Sequence, residues 1–139
     1  MKAQSAFEYL IIISIVISFL IPIWAYVLST QQRTTDELSL SYANNAVSRI
    51  VDTADLVYSQ GPPAKVTIRV YMPAGIQRLI FYNNTMVLTV RTSSGFSDVY
   101  DTSIAAINVT QGLNETLSEE GTYLLKVEAY GNVVQISQS

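Results

Sequence analysis

A long uncharged segment near the start of the chain limits its folding more than any other feature. No residue between Tyr9 and Gln32 carries a charge, and residues 9–28, YLIIISIVISFLIPIWAYVL, are almost wholly apolar. A helix needs about 20 such residues to cross the hydrocarbon core of a bilayer. The segment is therefore long enough to span a membrane as a single helix.

The residues that follow have the pattern of an amphipathic helix. The apolar residues between 43 and 58 recur at the three- and four-residue spacing of one helix face: Ala43, Ala46, Val47, Ile50, Val51, Ala54, Val57 and Tyr58. No glycine precedes Gly61, so we expect one helix of about 50 residues, kinked or loosened at Pro22. Gly61 suits a C-terminal cap, and the two prolines after it prevent continuation.

From Lys65 onwards the hydrophobic period changes from that of a helix to that of a strand. KVTIRVYM, residues 65–72, alternates apolar and polar side chains, and a hairpin is expected around Asn83–Asn84. Gly131–Asn132 forms another tight-turn pair. About seven short strands at regular spacing predict an antiparallel β-sandwich or small barrel. The predicted fold class is α+β: a long helix, apolar in its first half, followed by this β domain.

Composition excludes several classes of function. The 139 residues suffice for one domain and an appendage, and the net charge of −3 without a basic cluster argues against a nucleic-acid partner. The chain has no cysteine and no histidine, so it has no disulfide and no ordinary base–nucleophile pair. The acidic residues of the β region lack the spacing of a calcium loop: Asp98, Asp101, Glu115, Glu119 and Glu120. We expect neither an enzyme nor a protein with a cofactor or metal.

The head of the chain inverts the order of a secretory signal peptide, because the small residue Ala3 precedes the apolar segment. KAQSAFEYL, residues 2–10, resembles the class III signal peptides of archaeal type IV pilin-like proteins. In that family a prepilin peptidase cuts after a Lys/Arg–Gly/Ala pair. The resemblance implies cleavage after Lys2–Ala3 and a mature N-terminus at Gln4. Glu8 is then the fifth residue, the position at which this family carries a glutamate.

The resemblance implies a function as well as a processing site. It implies a structural subunit, or pilin, that polymerises through its N-terminal helix into a type IV pilus-like surface filament for adhesion. Residues 1–3 would be the signal peptide, residues 4–60 the helix that spans the membrane before assembly and forms the filament core after it, and residues 61–139 the β domain. The partners would be further copies of the chain, the prepilin peptidase, the assembly machinery and the cytoplasmic membrane. Lys2 lies on the short N-terminal side of the apolar segment, and this positive charge is a weak indication that the precursor's N-terminus lies inside the cell.

Two alternatives stay open at this point. One is a subunit of an archaellum-type motility filament. The other is a minor pilin or membrane-anchored module whose β domain binds a ligand outside the cell.

Five residues of the helix are candidates for subunit assembly: Gln4, Glu8, Ser14, Ser18 and Pro22. The α-amino group freed at Gln4 is mostly charged at neutral pH, and Glu8 of another subunit can pair with it in an apolar core. Alternatively, Glu8 only marks the interfacial end of a membrane helix. Ser14 and Ser18 allow close approach of helices, or else bond to carbonyls of their own helix.

Three Asn-x-Thr triplets in the β region are candidate N-glycan acceptors if the domain is exported. They begin at Asn83, Asn108 and Asn114. The alternative is that these asparagines serve only to form turns.

Overall fold

The computed structural model describes residues 2–139, and of Lys2, Ala3 and Ser5 it describes the backbone alone. The first element, α1, is a continuous helix of 59 residues from Lys2 to Gln60. It begins at Lys2, within the segment that the resemblance assigns to the signal peptide, and runs through Pro22 without interruption. The cap at Gly61 is confirmed: its φ is 70°, and its N–H donates to the carbonyls of Val57 and Tyr58, at 3.1 Å each.

Seven strands and one short helix follow α1, which confirms the α+β class. They are β1 (Lys65–Met72), β2 (Ile76–Tyr82), β3 (Thr85–Thr92), β4 (Gly95–Thr102), β5 (Ala106–Val109), α2 (Leu113–Thr116), β6 (Gly121–Tyr130) and β7 (Val133–Gln138). They form a four-stranded sheet in the order β1-β6-β7-β5 and a three-stranded sheet in the order β2-β3-β4.

Strand pairing follows the predicted hairpins, with one exception. β2 and β3 meet at Asn83–Asn84, where Asn83 has a φ of 54°, and β6 and β7 meet at Gly131–Asn132. All pairs are antiparallel except β5 with β7, which run parallel. Alternation of side chains shows that a strand has one buried face, but it carries no information on the direction of the neighbouring strand.

The chain divides into two compact units, Met1–Thr35 and Asp36–Ser139. The described part of the first unit consists of α1 alone. The second unit, which we call the β unit, holds the rest of α1 together with both sheets. The compact unit is therefore larger than the β domain of residues 61–139 that the sequence suggested, because it contains the last turns of the helix.

The second half of α1 supplies part of the core of the β unit. Every member of the predicted stripe from Ala43 to Val57 is at most 3% exposed, and Tyr58 packs against the same cluster. Inward residues of both sheets complete this cluster, among them Leu88 of β3 and Ile136 of β7, each 0% exposed. The buried stripe of the helix therefore shares one core with both sheets.

The same part of α1 lies against the edge strands β1 and β4. On the β1 side, the rings of Tyr42 and Tyr71 meet edge to face with centroids 5.3 Å apart. On the β4 side, the Ser48 hydroxyl donates to Asp101 Oδ2 at 3.1 Å. Farther along the helix, Asp55 accepts the backbone N–H of Ile104 at 2.9 Å. The helix thus contacts one edge strand of each sheet.

Candidate assembly site

The first half of α1 exposes nearly every large apolar side chain that it carries. Between Phe7 and Leu28 these side chains are 43% to 73% exposed, and the set includes Tyr9, Leu10, Ile11, Ile12, Ile13, Ile15, Val16, Ile17, Phe19, Leu20, Ile21, Ile23, Trp24, Tyr26 and Val27. An apolar surface of this extent marks a site that contacts lipid or other protein. The apolar segment is therefore the principal candidate site of the chain.

Length and composition allow this helix to cross a membrane. Its most apolar window of 18 residues has a mean hydropathy of 2.6, and none of that window is buried within the chain. The side chains point in all directions around the helix axis, so burial of one face would not remove the apolar surface from water. A bilayer or a ring of neighbouring helices could cover the whole apolar surface of the segment.

Gln4 and Glu8, the two residues expected to carry the charges of the assembly contact, are both exposed. They are four residues apart on one helix and therefore lie on the same face. Glu8 takes part in no ion pair within the described residues. The expected cleavage at Lys2–Ala3 involves side chains outside the described set.

Three small side chains, Ser14, Ser18 and Pro22, are spaced four residues apart and so lie along one face of the helix. The Ser14 hydroxyl donates to the carbonyl of Leu10 at 2.8 Å, so the self-bonded alternative holds for Ser14. Because Pro22 has no N–H, the carbonyl of Ser18 loses the donor that an ordinary residue would supply. The sequence reasoning missed this acceptor, although the spacing of Ser18 and Pro22 indicates it.

The acidic residues of the β unit bond to hydroxyl groups. Asp98 accepts from the Thr89 hydroxyl at 2.6 Å, and Glu120 accepts from the Tyr71 hydroxyl at 3.0 Å. The hydrogen bond to Glu120 raises the pKa of Tyr71 above its ordinary value. Within the described residues, no three carboxylate, histidine or cysteine side chains gather as a metal site would require.

The structure separates the three candidate glycan acceptors by accessibility. Asn83 is exposed at the tip of the β2–β3 turn, and Asn108 is exposed on β5. The two lie close together, because the N–H of Ile107 donates to the carbonyl of Asn83 at 2.7 Å. Asn114 is only partly exposed, and its side-chain Oδ1 is buried.

We expect any N-glycan to attach at Asn83 or Asn108 and not at Asn114, because a transferase must reach the side-chain nitrogen. Glycopeptide mass spectrometry of the chain from its native host checks this, with Asn83→Gln and Asn108→Gln as variants. A glycan found at Asn114 alone would contradict the expectation.

Comparison of the chain with protein-family models, with curated proteins and with solved structures finds no match. Functional inference therefore depends on the motif at the head of the chain and on the geometry of the helix.

Proposed function

We propose that this chain is a structural subunit that polymerises through its N-terminal helix into an archaeal type IV pilus-like surface filament, with adhesion as its task. The observation that carries the proposal is the contrast between the two halves of α1. The second half is buried in the core of the β unit, whereas the first half, from Phe7 to Leu28, is exposed and apolar all round. A chain with such a helix needs partners for it, and copies of the same helix are suitable partners.

The head of the chain adds an independent reason. The spacing of Lys2–Ala3, Gln4 and Glu8 matches a class III signal peptide, in which a glutamate is the fifth residue after the cleavage site. An uncharged helix follows it. Glu8 and Gln4 are exposed, as residues that contact another subunit must be before assembly. A single-span anchor requires the apolar length alone and gives no reason for this combination.

The runner-up is a minor pilin or membrane-anchored module, and the length and hydropathy of α1 favour it. In this case the helix stays in the lipid and the β unit acts outside the cell. An archaellum-type filament subunit would use the same helix in the same way as a pilin.

Electron microscopy of surface filaments, with antibody raised against the β unit, tests the proposal. Labelling along the whole length of the filaments supports a principal subunit. Labelling confined to the cell envelope, with this chain recovered only from membranes, overturns the proposal in favour of the anchored module.

Processing provides a further prediction. We expect the mature chain to begin at Gln4, because a cut after Ala3 leaves the whole apolar helix on the protein. Intact-mass measurement of the purified chain checks this, and Lys2→Ala together with Ala3→Leu should prevent the cut. A mature chain that retains Met1 would show that the head is not a class III signal peptide.

A further inference from the structure

One face of α1 in the β unit is covered by neither sheet. We call it the helix strip, and it consists of six exposed residues: Leu38, Tyr42, Asn45, Arg49, Asp52 and Leu56. They are spaced alternately by four and three residues, the spacing with which helices pack against one another in coiled coils. Leu38, Tyr42 and Leu56 remain 52%, 47% and 50% exposed. The strip therefore has the pattern of a helix-packing seam with apolar ends and a polar centre.

The strip lies between two strands of opposite charge. The charged residues of β1 are Lys65 and Arg69, which are both basic, whereas those of β4 are Asp98 and Asp101, which are both acidic. β1 borders one side of the strip, through the contact of Tyr42 with Tyr71, and β4 borders the other side.

The charges of the helix follow the same division. Arg49 lines a small cavity together with Arg69 and Tyr71, so it faces the basic strand. Asp52 is four residues from Ser48, which bonds to Asp101, and therefore lies on the acidic side. The strip thus has a basic flank, Arg49 with Arg69, and an acidic flank, Asp52 with Asp101.

Among the described residues, no side chain of either flank forms an ion pair. In the part of the chain that the structure describes, the one ion pair joins Lys126 to Glu128, at 2.7 Å. Asp101 bonds to the neutral hydroxyl of Ser48, so its charge has no counter-charge there. Like charges held side by side repel one another, and a surface of opposite sign relieves that repulsion.

We infer that the helix strip binds a second copy of this chain side by side, with the basic flank of one copy against the acidic flank of the next. A second copy is the fitting partner because every copy carries one flank of each sign, so the basic flank of each copy can meet the acidic flank of the next. Two different patches that complement each other form a heterologous interface, which repeats without closing on itself and so builds open helical polymers. The polar centre at Asn45, Arg49 and Asp52 would fix the register of neighbouring subunits. This inference rests on the proposed filament function.

Disulfide crosslinking in the full-length chain tests the interface directly, since the natural sequence has no cysteine. Thr67→Cys on β1 and Thr102→Cys on β4 place one thiol on each of the two strands that border the strip, at neutral, exposed positions. A helix about 10 Å wide separates them, too far for a bond within one chain. Oxidation of isolated membranes and filaments should give a ladder of multimers, whereas either single variant should give at most a dimer. Gln77→Cys on β2 with Gln135→Cys on β7, two exposed positions on strands that do not border the helix strip, is the matched control and should give no ladder.

Charge reversal in the same two-cysteine chain supplies the second measurement. Arg49→Glu with Arg69→Glu should reduce the ladder by about tenfold or more, because like charges then face each other. Adding Asp52→Lys and Asp101→Lys exchanges the charges of the two flanks and should restore the ladder. A missing ladder in the two-cysteine chain, or a ladder that survives charge reversal, overturns the inference. Filaments without a ladder would leave the proposed function standing, whereas a ladder in membranes without filaments would reject the filament and keep the interface.

Discussion

We expect aspartate at Ile13 or at Ile17 to abolish the proposed filaments, and we expect this to be the largest effect of any single substitution in the chain. Both side chains lie in the middle of the exposed apolar helix, where they are 46% and 49% exposed. Once they are surrounded by other helices, an unpaired carboxylate there costs several kcal/mol for each subunit. A polymer repeats that cost at every copy. Filament yield should therefore fall below detection in electron micrographs of cells that express the variant.

Two controls separate assembly from folding and from insertion. Ile13→Leu keeps the apolar surface and should leave filament yield unchanged. Thr102→Glu adds an acidic charge at an exposed position at the end of the acidic strand β4, where it would face the basic strand of a neighbouring copy, and should also be tolerated. An aspartate at the centre of a membrane helix costs about 2.5–3.5 kcal/mol for insertion, so membrane fractionation must show that the Ile13→Asp chain has inserted. Normal filaments from inserted Ile13→Asp chains would contradict burial of the helix.

Alanine at Glu8 should produce a chain that inserts, is cleaved after Ala3 and assembles poorly. In the proposed membrane-bound precursor Glu8 would lie near the cytoplasmic edge and reach water, so its loss would cost the precursor little. In the filament the carboxylate would pair with the Gln4 amine of a neighbouring subunit. Removing it strands that amine in an apolar environment, at a cost of about 3–5 kcal/mol for each subunit. The pairing would also fix the axial register, since a slip along the helix leaves both charges unpaired.

Counts of filaments and their lengths measure this effect, and intact mass confirms that cleavage has taken place. Glu8→Gln is the matched variant, because it keeps the shape of the side chain and removes only the charge. We expect it to assemble as poorly as Glu8→Ala. If both variants form filaments of normal number and length, Glu8 is only a boundary charge at the end of a membrane helix.

The sequence predicted the elements of this fold better than their arrangement. The spacing of apolar residues was enough to locate the stripe from Ala43 to Val57 and the alternating strands. An element that buries one face repeats its apolar residues at the period of a helix or of a strand. The turns at Asn83–Asn84 and Gly131–Asn132 follow from residues that tolerate positive φ. Each of these features is determined by residues that are close together in the chain.

The parallel pairing of β5 with β7 and the division of the strands into two sheets were not predictable in this way. They depend on contacts between residues far apart in sequence, for which one sequence contains no local pattern. The boundary between the compact units, at Thr35/Asp36, also has no glycine or proline to mark it, because the helix is continuous there.

The candidate site, too, was predictable from the sequence only in part. The motif around Glu8 and the apolar length of the helix identify the first half of α1 from sequence alone. The helix strip needed the structure, because its two flanks come from α1, β1 and β4, which are brought side by side only by folding. The opposite signs of β1 and β4 are visible in the sequence, but nothing there indicates that one helix lies between them.

The burial of the second half of α1 in the β unit also has a mechanical consequence. A pull on the first half of the helix is transmitted along its backbone to residues such as Val47 and Ile50, which are fully enclosed by both sheets. To detach the β unit, that load must shear the helix along its axis. All contacts between the buried stripe and the sheets must then break at the same time. A flexible tether would instead concentrate the load on the first strand and peel strands away one at a time. The geometry of α1 thus suits a chain whose outer part has to hold under tension.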